Sequence, residues 1–151
     1  GLLNRRGLQQ ALETWKAQGQ SFAILALDID RFKVINDQHG HAVGDQVISH
    51  IAEQMRRYSR DGDVLCRNGG EEFLMLLPTT DADDALLIAE RLRQQIATQP
   101  LDPVGHVSVS VGVAHYPTFD ADAEQALRMA DKALYMAKEQ GRNRSVTYPY
   151  R

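Results

Sequence analysis

Arg67-Asn68-Gly69-Gly70-Glu71-Glu72-Phe73 stands between two apolar runs, Val64-Leu65-Cys66 and Phe73-Leu74-Met75-Leu76-Leu77. Asn-Gly between strand-length apolar runs is a strong hairpin signal, because a type I′ turn needs positive φ at both central residues. The stretch therefore reads as an antiparallel hairpin, ended by Pro78, with the carboxylates Glu71 and Glu72 at its tip. Upstream, residues 22–27 (FAILAL) form a continuous apolar run, as expected for a strand covered on both faces. Downstream, Val107, Val109, Val111 and Val113 alternate with Ser108, Ser110 and Gly112, which predicts a strand with one core face. Helical spacing joins Leu8, Leu12 and Trp15 over 5–18, and Val47, Ile48, Ile51, Ala52 and Met55 over 44–58. It recurs through Ala85, Ile88, Ala89, Leu92 and Ile96, and through Leu127, Ala130, Leu134 and Ala137, with Gly141 as a stop. Residues 146–148 read as a closing strand. The order α-β-α-β-β-α-β-α plus this short strand embeds a hairpin among βα units. It predicts an α+β fold: a mixed, mainly antiparallel central sheet surrounded by helices.

Composition narrows the field. A chain of 151 residues fits one domain with a core large enough to need no disulfide. Its net charge of -3 lacks the basic excess expected of a duplex nucleic-acid binder. Cys66 is the single cysteine, so no internal disulfide forms. No apolar run approaches the roughly 20 residues that span a bilayer, and no signal peptide is visible. These features point to a cytoplasmic domain without direct membrane contact. None of the five histidines stands at zinc-ligand spacing from a Cys or Asp. The chain opens at Gly1 without an initiator Met, which reads as the C-terminal part of a longer protein.

The acids set the chemistry. Asp28, in Asp28-Ile29-Asp30, lies at the carboxyl end of the first strand, and Glu71 and Glu72 lie on the hairpin. If those strands are neighbours, the acids converge at one sheet edge. Hard divalent ions such as Mg2+ bind through one or two carboxylates plus substrate phosphates. Two ions roughly 4 Å apart could stabilise both the attacking and the leaving oxygen of an in-line displacement. Lys33, Lys138 and Arg142 supply candidate phosphate-binding cations. The plain alternative is a strand end, a glycine hairpin and a solvated acid pair, with Lys138 and Arg142 merely compensating a helix dipole.

Several stretches together resemble one family. Residues 1–6 (GLLNRR), 28–37 (DIDRFKVIND), 40–45 (GHAVGD), 67–73 (RNGGEEF), 109–114 (VSVGVA) and 131–144 (DKALYMAKEQGRNR) resemble the GGDEF domain of diguanylate cyclases, in its GGEEF variant. The resemblance covers essentially residues 1–151. It implies a palm-like fold shared with nucleotidyl cyclases, with a ferredoxin-like core. It implies condensation of two GTP molecules into cyclic di-GMP with release of two pyrophosphates, using Mg2+ or Mn2+, two ions per GTP. Asp28, the Ile29 carbonyl, Glu71 and Glu72 would hold the metal. Glu71 would also assist deprotonation of the 3′-hydroxyl, and Lys33 would stabilise developing charge. Lys138 and Arg142 would hold the terminal phosphates, while Gly69 and Gly70 let backbone approach them. Asn36 and Asp45 would read guanine. Asp45 suits it chemically, since a carboxylate accepts from the N1–H and N2–H2 edge and adenine presents an acceptor at N1. From local sequence alone, Asn36 and Asp45 read as a turn residue and a first-turn helix acid.

The implied reaction needs no protein nucleophile, only positioning and charge stabilisation. Each domain would hold one GTP, so a homodimer of facing half-sites is expected, matching the twofold product. An upstream sensor domain is expected in the same longer chain. Arg60-Asp61-Gly62-Asp63 reads locally as a charged turn. The resemblance makes Arg60 and Asp63 an RxxD inhibitory site for cyclic di-GMP, with Arg91 as an accessory arginine. Two other readings stand beside this one. The first is a domain that senses nucleotide without turning it over. The second is a palm-type cyclase acting within a single nucleotide.

Overall fold

The structure, a computed structural model, describes residues 2–117 and 122–149; Gly1 of the first matched stretch lies outside them. Five helices and seven strands follow in order: α1 (Arg5–Ala17), β1 (Phe22–Ile29), α2 (Phe32–His39), α3 (His41–Tyr58), β2 (Val64–Arg67), β3 (Glu72–Pro78), α4 (Ala82–Thr98), β4 (Pro100–Leu101), β5 (Gly105–His106), β6 (Val109–Tyr116), α5 (Ala123–Glu139) and β7 (Ser145–Thr147). The central sheet has the order β2-β3-β1-β6-β7. Its pairings are antiparallel except for β6 with β7. This is the mixed, mainly antiparallel α+β architecture the sequence predicts.

Strand β1 lies at the middle and is buried along its whole length. Its alternate residues feed two cores, as a period of two requires. Leu25 and Leu27 pack with α3 and α4, through Val47, Ile51, Ala89 and Leu92. Phe22, Ile24 and Ala26 pack with α1 and α5, through Leu8, Leu12, Ala130 and Leu134.

Strand β6 departs from the expectation of a single core face. Val109 to Ala114 are all buried. Ser110 and Gly112 look polar or small in sequence, yet they lie under α5. A Cβ on Gly112 would overlap the Ala130 carbonyl oxygen and the Leu134 amide, so the absent side chain is what lets the helix backbone sit on the strand.

Helix α2 was not foreseen. It has eight residues, and its N-cap, Arg31, is left-handed at φ 56 with no side-chain cap, so no capping signal marks it. The β4–β5 hairpin was also missed, because two-residue strands leave no periodicity to read. At the other end of the chain, Leu3 exchanges backbone hydrogen bonds with β2, donating to Leu65 (2.8 Å) and accepting from Arg67 (3.0 Å). That covers the exposed edge of β2. Cys66 is fully buried there, and burial pushes its thiol up.

Candidate functional site

Register brings the acids together. Asp28, the penultimate residue of β1, faces Glu72 at the start of β3 and Ser110 on β6. The Ile29 amide donates to the Glu71 carbonyl at 3.3 Å, tying the hairpin tip to the same strand end. The tip is a refined version of the predicted turn. Its positive φ values belong to Gly69 (97°) and Gly70 (51°), while Asn68 is not left-handed. Asn68 instead donates its side-chain amide to Glu72 at 3.3 Å and accepts from Arg5 at 3.1 Å. The two glycines supply the conformation that Asn-Gly was expected to share.

The site is electrostatically loaded. Burial leaves Asp28 only 8% exposed and pushes its carboxyl up. Lys138, at the end of α5, pulls it back down by an ion pair to Oδ2, and Glu71 and Asp30 push it up. Glu72 is also raised, first by burial and then by Asp131, with Asp28 adding to it. Asp131, on the exposed side of α5, stands near Glu72; partial burial lifts its carboxyl against the pull of Arg5.

Asp131 is a residue that sequence reasoning overlooked. Its spacing was the available signal, because Asp131 and Lys138 are seven apart and share one helix face. Lys138 itself lies against Asp28, a partner its spacing did not indicate. Arg142 follows on the turn after α5, at φ 65.

Among the described residues, no three His, Cys, Asp or Glu side chains gather closely enough to form a ready-made metal cage. The donor set nevertheless suits a hard divalent cation. It offers carboxylate oxygens, few in number, on a rigid strand end, and Mg2+ completes its shell with phosphate and water.

The two guanine-reading candidates stand on α2 and α3. Asn36 Oδ1 is buried and accepts no hydrogen bond. Gly44 lies directly against it, and a Cβ there would overlap Oδ1. Asp45 follows at the surface, one helical turn before Ile48. Ile48, Ala52, Leu2, Leu3 and Phe73 line a cleft of ≈ 420 Å³, with Arg56 and Arg67 at its rim. Lys33 is exposed on α2.

Arg60 and Asp63 lie at the far end of the hairpin from Glu71. Arg67 stands four residues after Asp63 along β2, roughly 13 Å at 3.3 Å per residue. The Arg60 amide donates to Asp63 Oδ2 at 2.7 Å, and its guanidinium donates to Asp63 Oδ1 at 3.4 Å and Thr80 Oγ1 at 2.7 Å. Arg91 is exposed on α4.

Comparison with known proteins matches this architecture throughout. The family of the diguanylate cyclase GGDEF domain matches residues 1–144. Diguanylate cyclase DgcM of Escherichia coli (strain K12) is 40% identical over 148 residues, 95% of this chain and 36% of that protein. Diguanylate cyclase A of Treponema denticola is 40% identical over 144 residues, 91% of this chain and 38% of that protein. The chain thus spans somewhat over a third of the length of these relatives. A solved structure of the active GGEEF domain of a diguanylate cyclase from Vibrio cholerae superposes with a TM-score of 0.91 at 35% identity, covering 100% of both chains. The GGDEF domain of DgcB from Caulobacter crescentus, in complex with c-di-GMP, gives 0.90 at 31% identity, covering 97% of this chain and 91% of that one. Sequence, fold and the Gly69-Gly70-Glu71-Glu72-Phe73 hairpin agree, and this chain belongs to the GGDEF-domain family of diguanylate cyclases, in its GGEEF form.

Proposed function

We propose that this domain condenses two GTP molecules into cyclic di-GMP, releasing two pyrophosphates. The observation that carries the reading is the register of Asp28 opposite Glu72, with Glu71 bonded to the same strand end and Lys138 paired to Asp28. Asp28, Glu71, Glu72 and the Ile29 carbonyl would hold Mg2+ or Mn2+, two ions per GTP. Bound there, the cations supply charge neutralisation at the α-phosphate and a lowered pKa for the attacking hydroxyl. Lys138, paired with Asp28, and Arg142 would hold the terminal phosphates. Lys33 stabilises charge developing on the phosphoryl oxygens.

Guanine enters the cleft lined by Leu2, Leu3 and Ile48 and is read by Asn36 and Asp45. The buried, unpartnered Asn36 Oδ1 accepts from the base, since an orphaned acceptor costs free energy until a donor reaches it. Glu71 accepts the 3′-hydroxyl proton. A 3′-O–P bond forms on the partner nucleotide as its α–β phosphoanhydride breaks, and pyrophosphate leaves. The domain works as a homodimer, each copy presenting one GTP to the other, under an upstream sensor domain in a longer cytoplasmic chain. Cyclic di-GMP returns as an inhibitor at Arg60 and Asp63, with Arg91 assisting.

Incubation with GTP and Mg2+, with the product identified by mass, tests the reaction. Cyclic di-GMP is the expected product. Monomeric cyclic GMP, or unchanged GTP, overturns the reading.

A further inference from the structure

Asp30 is a buried carboxylate outside the metal and phosphate assignments, 8% exposed. It accepts hydrogen bonds from Ser108 Oγ and Ser110 Oγ, both at 2.6 Å, and from the Asn143 backbone amide at 3.0 Å. The first two bonds anchor it to β6 and to the residue just before that strand. The third reaches across to the turn after α5, which carries Arg142.

That turn needs holding. Arg142 and Asn143 are consecutive left-handed residues, at φ 65 and 48, a conformation costly for any residue with a β-carbon. A second grip comes from α4. Arg93 Nη1 donates to the Asn143 carbonyl at 3.2 Å and to its Oδ1 at 2.8 Å, and Arg93 is itself braced by Glu90. Asp30 stands two residues after Asp28 on the same strand end. One strand end thus carries a metal acid and grips the turn that carries a phosphate arginine.

We propose that Asp30 is a positioning residue for the triphosphate site. With Arg93, it clamps Asn143 so that Arg142 keeps a fixed register to Asp28. The proposal rests on the reading of Arg142 as a phosphate ligand. Asp30→Ala removes all three acceptor contacts and leaves the Asn143 amide unpaired. Asp30→Asn should restore most of the function, because its single amide oxygen can face that amide while the serine hydroxyls rotate. The Arg93 side chain is largely buried, at 15% exposed, so Arg93→Met, which keeps its aliphatic length, opens the other grip, with an unchanged melting temperature as the control for folding.

The test is calorimetric affinity for α,β-methylene GTP with Mg2+, which needs no turnover. Arg142→Ala should weaken binding about tenfold, the scale of one charge-assisted phosphate contact. Asp30→Ala and Arg93→Met should each weaken it several-fold, with Asp30→Asn near the parent. The decisive readout is coupling. Either variant combined with Arg142→Ala should bind no worse than Arg142→Ala alone, because both act through the same contact. If the effects multiply, or if Asp30→Ala and Arg93→Met bind like the parent while Arg142→Ala is weakened, the clamp is refuted and the phosphate site stands. If Arg142→Ala binds like the parent, the phosphate assignment falls and the clamp falls with it.

Discussion

Asp28 is under two opposing demands. Burial against β3 and β6 favours its neutral form, while the proposed chemistry needs it charged; the Lys138 ammonium reconciles them by standing at its oxygen. Glu71 is placed differently, half-exposed on a glycine turn and contributing little to the core. Glu71→Gln should therefore keep the fold and lower turnover at least about 100-fold, the usual scale of a lost proton acceptor. Parent-rate synthesis of cyclic di-GMP by that variant would sink its role. Glu72 and Asp131 make a prediction about stability. Each carboxyl lies above its ordinary value, so the folded state holds a proton that the unfolded chain releases. The resulting stabilisation is complete below the unfolded value, 4.5 for Glu72, and is lost as pH rises through the raised one. Glu72→Gln places an uncharged amide beside Asp131 at every pH. It should melt about 2–4 °C above the parent near pH 7.5, the shift expected for roughly 1 kcal/mol in a domain of this size. The gap should close toward pH 4.5; a gap independent of pH would show that titration is not its cause.

At the scale of elements, the β2–β3 hairpin carries a proposed site at each end. Its glycine tip holds Glu71 and Glu72, and the turn before it holds Arg60 and Asp63. Thr80, buried after β3, receives the Arg60 guanidinium and passes its own hydrogen to the Pro78 carbonyl at 2.9 Å, so Arg60 is held in place by the fold. A guanidinium and a carboxylate so arranged match the donor and acceptor edges of guanine. Micromolar cyclic di-GMP, about 8 kcal/mol of binding, should slow turnover of the parent. Arg60→Ala should relieve that inhibition and leave the uninhibited rate close to the parent's; equal inhibition of both proteins would remove the site. The helices show why elements were unequally legible. Helices α3, α4 and α5 each bury an apolar stripe over about three turns or more, and α1 repeats Leu8, Leu12 and Trp15 over two, so their spacing declares them. Helix α2 buries only Ile35 and has no side-chain cap, so nothing local distinguishes it from a loop.

For the whole molecule, the proposed dimer of half-sites makes concentration the sensitive variable. Specific activity should rise with protein concentration until the domain dimerises, giving a rate steeper than first order in protein. A strictly first-order rate over a hundredfold dilution would show that one copy suffices. Most of the sheet was readable beforehand because hydrophobic period and turn residues are local properties. The run at 22–27 announced a strand buried on both faces, and the paired glycines announced the hairpin that Glu71 and Glu72 ride on. The residue types needed for cation and phosphate binding were equally plain. What the chain could not disclose locally was who meets whom. The facing of Asp28 and Glu72 depends on strand register. The pairing of Lys138 with Asp28 joins residues 110 apart. The burial of Ser110 and Gly112 exists only because α5 lies across them, and Asp30 becomes a clamp only when β6 and the Asn143 turn arrive together. Composition and periodicity determined the parts, since they depend on neighbours along the chain. Only tertiary packing decided their electrostatic company, because charge and burial act through space.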